Sequence, residues 1–305
     1  MRRIGPIATL ILLIPWALAA QGDPVEITFL DVDQGDAVLI RAPEGQTALV
    51  DAGPGIDLTA ALAELGVTQL DLVVATHPHA DHIGGMHPVL ESVPVRFYMD
   101  NGQPHTTTTY MTVMQALRQR PDITYLEAVP RTLQLGSVSI EVLPLPEQAS
   151  SNLNDHSVGL VVTHGEFRAF LSGDSERPEL MHFVQEGVVP DVTLLKAPHH
   201  GSDDAVSDVF LRIARPEVVV ISVGDGNTYG HPSLAALATY LSYADQLFRT
   251  DLHGQVMVSG YEDGTYEVTL GSRFFMGSAA AVWNNNGDSA TLYDDGGRVV
   301  AQHVH

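Results

Sequence analysis

The chain has 305 residues, 45% of them hydrophobic and 17% charged, a balance that fits one large α/β domain with a substantial core and shows no sign of long disorder. Its formal net charge is −22, and Lys196 is the single lysine among its basic residues; such a surface repels nucleic acid at long range and argues against a stable nucleic-acid complex. Cysteine is absent, which excludes disulfides and any thiolate metal site.

Met1-Arg2-Arg3 precedes an apolar run over 4–20, with an apolar centre at 10–17 and a small-x-small site at Ala17-Leu18-Ala19. This is the layout of a signal peptide over residues 1–20, so the protein is expected to be secreted or periplasmic and to have no transmembrane domain after cleavage. An uncleaved anchor is the alternative, but the run is short and Pro6 and Pro15 interrupt it. Alternating strands over 25–32, 37–41 and 48–53, divided by turn residues, then predict a β-meander. A short helix at 58–65 and a buried apolar strand at 70–75 follow.

That strand runs into Thr76-His77-Pro78-His79-Ala80-Asp81-His82-Ile83-Gly84-Gly85, four candidate metal ligands within six residues on a strand-to-helix loop. A lone histidine there would read as an ordinary hydrogen-bonding side chain; four ligands at this spacing read as a metal site. His77 and His79 can reach one ion from an extended segment, and Asp81 and His82 can turn towards a second as the helix starts. Imidazole and carboxylate suit zinc, iron or manganese. Gly84-Gly85 permits close backbone approach.

His-x-His-x-Asp-His at a strand end resembles the signature of the metallo-β-lactamase superfamily of hydrolases. The resemblance implies an α/β fold, a metallo-β-lactamase-type αββα four-layer sandwich with two divalent ions at one edge, zinc or alternatively manganese. A narrower resemblance rests on Asp31-Val32-Asp33-Gln34-Gly35-Asp36-Ala37 followed by Leu49-Val50-Asp51-Ala52-Gly53. This pair of segments is similar to the extracytoplasmic hydrolase domain of the ComEC competence proteins, which usually have glycine where Asp33 stands. Asp36 and Asp51 are candidates to orient metal-bound histidines, although aspartate in turns has ordinary uses as well; Asp31 reads as turn chemistry.

Helices are predicted over 82–90 and 105–120, the second weakened at its start by threonines 106–109, and strands over 95–99, 123–128 and 138–143. His105 reads as a surface residue. The loop 147–154 is placed to overhang the site. Asn152-Leu153-Asn154-Asp155-His156-Ser157 resembles the ComEC-type Asn-x-x-Ser segment; His156 is the candidate third histidine for the first metal, with Asn154 or a water as the other choice. The strand 168–172 ends in Gly173-Asp174, and the resemblance makes Asp174 the carboxylate between both metals. A helix at 176–185 and a buried strand at 192–197 lead to Pro198-His199-His200-Gly201-Ser202. Adjacent histidines at a strand end point apart, so His200 is assigned to the second metal and His199 to the substrate or leaving group, with the exchanged roles open. Lys196 reads as a lysine snorkelling at a strand end.

Next come a helix at 205–212, a strand at 218–222 and a helix reaching about 246 whose first turn is set by Pro232. His231 sits in the intervening loop where distant relatives place a last metal ligand, and is a catalytic candidate beside Asp81 and His199. The resemblance ends near 270, which sets a hydrolase domain over 21–270. Residues 271–305 form a short β-rich extension, with turn clusters at 284–288 and 294–297 and strand-like pieces after each.

The function implied is metal-dependent hydrolysis by a hydroxide bridging the two ions, with Asp81 orienting the nucleophile, on a small-molecule or nucleic-acid phosphodiester. The acidic surface does not exclude a nuclease, because metals supply local positive charge. Lactone or amide hydrolysis is the alternative chemistry, and histidine directly after Asp81 favours phosphodiester or lactone cleavage over β-lactam cleavage. A secreted binding module with no chemistry is the remaining alternative.

Overall fold

A computed structural model describes residues 22–147, 152–271, 289–293 and 299–304. The expected signal peptide at 1–20, both turn clusters of the tail and part of the 147–154 loop lie outside the described residues.

The first half runs β1 (Val25–Phe29), β2 (Val38–Arg41), β3 (Thr47–Val50), α1 (Thr59–Glu64), β4 (Leu70–Val74), α2 (Ala80–Ile83), α3 (Met86–Ser92), β5 (Val95–Asp100), α4 (Thr108–Gln119) and β6 (Thr124–Glu127). The second half runs β7 (Arg131–Leu135), β8 (Val138–Val142), β9 (Leu160–His164), β10 (Phe167–Leu171), α5 (Arg177–Glu186), β11 (Leu194–Lys196), α6 (Asp208–Ala214), β12 (Val218–Ile221), α7 (Leu234–Tyr243), β13 (Gln246–Arg249), α8 (Thr250–His253), β14 (Val256–Gly260) and β15 (Tyr266–Leu270). One sheet has the order β15-β14-β1-β2-β3-β4-β5-β6 and the other β13-β12-β11-β10-β9-β8-β7. The tail contributes β16 (Ser289–Tyr293) paired antiparallel with β17 (Val299–Val304).

Alternation along the strands builds the layers. Val25, Ile27 and Phe29 of β1, Leu72 and Val74 of β4, Ile140 of β8, and Val218 and Val220 of β12 share one core between the sheets. The other apolar residues face outward to helices: Val73, between Leu72 and Val74, and Leu70 at the start of β4 pack with Leu62 of α1, Leu90 of α3 and Val113 of α4. On the other sheet, Val219 and Ile221 pack with Phe183 of α5, Phe210 of α6 and Tyr240 of α7. Strands covered on both faces are apolar throughout, as β12 (Val-Val-Val-Ile) is. The result is the αββα order that the resemblance implied.

Within each sheet the antiparallel half gives way to a parallel one, β3-β4-β5-β6 and β10-β11-β12-β13. Loops leaving the carboxyl ends of β3, β4, β10, β11 and β12 therefore open onto a common edge, the usual place for a site in parallel sheets.

Several local expectations are corrected. The helix predicted over 82–90 divides into α2 and α3 at Gly84-Gly85. A Cβ on Gly84 would lie 2.5 Å from Ala80 O and Pro54 C, and one on Gly85 would collide with Ala52 O and lie 2.5 Å from Ile56 O. The threonine run helps its helix, because the Thr107 hydroxyl accepts from Tyr110 N at 3.4 Å as the N-cap of α4. Pro232 lies outside α7, which Ser233 caps through Ala236 N at 3.0 Å. The helix foreseen at 205–212 is a 3-10 turn over Asp203–Ala205 followed by α6. Strand β7 was not foreseen, although Thr132-Leu133-Gln134-Leu135 alternates and Gly136-Ser137 turns it onto β8.

Candidate metal centre

After β4 the chain stays extended as far as His79, whose φ and ψ of −77° and 151° precede the first turn of α2. Both imidazoles come to one place: His77 Nε2 and His79 Nδ1 are 2.9 Å apart. α2 then turns Asp81 and His82 inward. Asp174 arrives on the loop after β10, and His200 on the Pro198–Gly201 3-10 turn after β11. His82 Nε2 lies 3.1 Å from Asp174 Oδ2, and His200 Nε2 lies 3.4 Å from both Asp174 Oδ2 and Asp81 Oδ2. His77 Nε2 lies 4.0 Å from the same Asp174 oxygen. Asp81, His82, Asp174 and His200 bring four ligand atoms within 4.8 Å of one another, and the His77–His79 pair lies beside this group without joining it, its nearest approach the 4.0 Å contact of His77 with Asp174.

The outer nitrogens of these rings are already engaged. His82 Nδ1 donates to Asp51 Oδ2 at 2.8 Å, and His200 Nδ1 donates to the Ser222 carbonyl at 2.9 Å. His77 Nδ1 donates to the Thr76 hydroxyl at 3.1 Å, which itself donates to Asp51 Oδ2 at 2.7 Å. Each bond holds a proton on Nδ1 and leaves the Nε2 lone pair aimed at the centre, the arrangement that metal-binding histidines require. His82 Nε2, His200 Nε2 and Asp174 Oδ1 are buried without a hydrogen-bond partner. Orphaned buried atoms of this kind are costly unless something else satisfies them. The residues present therefore fit divalent cations: the inward atoms are imidazole nitrogens and carboxylate oxygens, a set suited to zinc or manganese.

Charge points the same way. Burial pushes the Asp174 carboxyl up, but the imidazoles of His200 and His82 outweigh it and hold the group well below the usual carboxylate range. Asp81 is likewise pushed up by burial and pulled down more strongly by His200 and His82, to about 2. Burial lowers His82 and His200, yet the Asp174 charge raises both well above the ordinary imidazole value. The centre attracts positive charge, and protons take that part where metal would displace them.

With this geometry in view, comparison with known proteins is decisive. Residues 30–225 match the metallo-beta-lactamase superfamily. The chain belongs to that superfamily. It thereby stands among metal-dependent hydrolases whose fold binds divalent metals, often two. The ComE operon protein 3 of Bacillus subtilis is 27% identical over 275 residues, covering 81% of this chain and 34% of that protein, so the chain spans about a third of its relative's length. A Ribonuclease Z of Mycolicibacterium gilvum is 43% identical over 56 residues, 18% of this chain and 19% of that protein. Among solved structures, a mutant of the CmlA beta-hydroxylase shares the fold at a TM-score of 0.50 and 17% identity, over 77% of this chain and 54% of that one.

In this superfamily member the remaining candidates divide. His199 stands at the rim, its Nε2 3.9 Å from Asp174 Oδ2 and its Nδ1 3.2 Å from Asp204 Oδ1 and 3.6 Å from Glu176 Oε1. Asn154 Nδ2 donates to Glu176 Oε1 at 2.9 Å and lies 3.4 Å from His199 Nε2. The two histidines separate because both adopt left-handed backbone, φ 46° and 52°, a strain that functional sites tolerate. His231 packs beside them, its ring 5.4 Å from His199 and 6.5 Å from His200, but it joins none of the convergent ligand groups among the described residues. His156 does not join them either.

Lys196 corrects the sequence reading. It does not snorkel: it is 1% exposed, its Nζ forms an ion pair with Asp36 Oδ2, donates to Gly173 O at 2.8 Å and lies 3.8 Å from Asp174 Oδ1. Asp36 in turn places Oδ1 3.4 Å from His200 Nδ1 and Oδ2 3.7 Å from His82 Nδ1. Asp36 and Asp51 thus stand behind the histidines as supports. Asp33 has φ 65°, the left-handed conformation for which the ComEC type usually uses glycine. Sequence reasoning missed Thr76, Ser222, Glu176 and Asp204, whose roles come only from the sheets bringing distant loops together.

Proposed function

We propose that the protein is a dinuclear-metal phosphodiesterase or nuclease that works outside the cytoplasm. The observation that carries this reading is the gathering of Asp81, His82, Asp174 and His200 at one point with the His77–His79 pair beside them, the rings of His77, His82 and His200 each bonded through Nδ1. His77 and His79 would hold one ion, Asp81, His82 and His200 the other, with Asp174 shared. Two such ions would supply positive charge against the attacked centre and lower the pKa of a water towards neutrality.

The chain's own residues supply orientation. Asp81, at the more open side of the cluster, is placed to align the nucleophile. His199 has its Nδ1 3.2 Å from Asp204 Oδ1 and 3.6 Å from Glu176 Oε1 and its Nε2 3.9 Å from Asp174 Oδ2, the position of a donor to a developing charge on substrate. The histidine directly after Asp81 and the short similarity to a Ribonuclease Z favour a phosphodiester over a lactone or amide. The Met1-Arg2-Arg3 start and apolar run support export. No described helix is long and apolar enough to cross a membrane.

The test is hydrolysis of bis(p-nitrophenyl) phosphate, single-stranded DNA, a lactone and nitrocefin with added manganese or zinc. Turnover of the first two, abolished by chelator, is expected. Exclusive turnover of the lactone or nitrocefin would replace the phosphodiester reading, and no turnover of any would favour a binding module.

A further inference from the structure

The loop between β12 and α7 carries an aromatic side chain that the hydrolytic site does not use. Tyr229 is 71% exposed, an unusual position for a tyrosine, and its ring lies parallel to that of His231 at 12° with centroids 6.0 Å apart. His231 in turn contacts His199 at 5.4 Å, so Tyr229 stands two ring contacts from a residue at the edge of the metal centre.

The loop is held in shape rather than left loose. Asn227 Nδ2 donates to the carbonyls of Gly224 at 3.1 Å and His231 at 2.6 Å, while its Oδ1 accepts from the backbone N–H groups of Tyr229 at 3.2 Å and His231 at 3.1 Å. One side chain thus fixes both ends of the Tyr229–His231 segment, and Gly230 supplies the positive φ of 77° that the turn needs. The tyrosine ring runs nearly parallel to that of His231, and its exposure leaves most of it to solvent.

We propose that Tyr229, beside His231, is a stacking platform for a nucleobase of the substrate at the rim of the metal centre. The proposal rests on the phosphodiester reading of the metal centre and narrows it to nucleic-acid or nucleotide substrates. Stacking is a contact that the chain's charge does not oppose. Its net charge is −22 and its single lysine is buried against Asp36, so a lysine-lined phosphate groove is unavailable. Base–aromatic stacking is independent of net charge and tolerant of sequence.

The experiment compares kcat/KM on a short oligothymidylate and on a strand of equal length with abasic tetrahydrofuran units, for wild type, Tyr229→Ala and Tyr229→Phe in manganese. Wild type is expected to prefer the base-bearing strand by about 5- to 150-fold, the range for one stacked base. That ratio should fall towards one in Tyr229→Ala and persist in Tyr229→Phe, with unchanged thermal melting in both variants. A wild-type ratio near one, or a ratio that Tyr229→Ala leaves intact, overturns the platform while leaving the phosphodiester reading standing. Failure of wild type to cleave either strand while it turns over bis(p-nitrophenyl) phosphate overturns the platform alone; failure on all three overturns the phosphodiester reading, and the platform with it.

Discussion

Replacing Lys196 by methionine removes a charge from the support behind the metal centre while keeping the side chain's length. Lys196 and Asp36 are each about 1% exposed, and the ammonium is hydrogen-bonded to Gly173 O as well as paired with the carboxylate. Breaking a buried pair from one side costs about 3–5 kcal/mol, because the remaining charge is left without its partner. Here Asp36 keeps His200 Nδ1 at 3.4 Å and His82 Nδ1 at 3.7 Å, so the loss should fall near the lower end, about 3 kcal/mol. Denaturant unfolding in excess chelator reads this term apart from any loss of metal. Adding Asp36→Asn to Lys196→Met should recover part of the stability, since no unpaired charge then remains. Mass spectrometry after amine labelling supplies a second reading: native protein should carry one label fewer than unfolded protein. A Lys196→Met variant within about 1 kcal/mol of wild type, or full labelling of the native chain, would refute the buried-pair account.

His200→Ala should lower metal occupancy and activity together, whereas His199→Ala should keep its metal and lose about 10²–10³ in kcat/KM, the range for one transition-state donor; metal analysis beside kinetics checks both, and metal loss only in His199→Ala would exchange the roles. Glu179 of α5 is buried, accepts from Ser157 N at 3.1 Å and Ser175 Oγ at 2.7 Å, and burial pushes its carboxyl well above the ordinary value of 4.5. A raised carboxyl resists ionisation in the fold, so its penalty grows as pH rises from 4.5 towards the folded value. Glu179→Gln should therefore gain stability relative to wild type as pH rises above 4.5 in urea titrations; a difference that is flat with pH would contradict the assignment.

The sequence made the metal loop legible because its ligands are local: His77, His79, Asp81 and His82 need only a strand end and one helical turn to converge. Asp174 and His200 were readable for a similar reason, each closing an apolar strand. What could not be read was the pairing of side chains far apart in the chain. Lys196 looks like any strand-end lysine until β11 is placed beside the loop carrying Asp36, and Ser222 becomes a partner for His200 only once β12 lies next to β11. The different fates of His199 and His200 depend on two left-handed residues in succession, which no propensity would suggest. Helix boundaries drifted where capping side chains decided them, as with Thr107 and Ser233. Strand β7 carried a usable alternation that its preceding proline obscured.

The central claim is that two divalent ions share Asp174 at this edge of the sandwich. Anomalous diffraction from crystals grown with zinc or manganese tests it most directly. Two peaks roughly 3.5–4 Å apart are predicted, one against His77 and His79, the other against Asp81, His82 and His200, with the Asp174 carboxylate between them. A single peak, or peaks away from Asp174, would contradict the dinuclear centre.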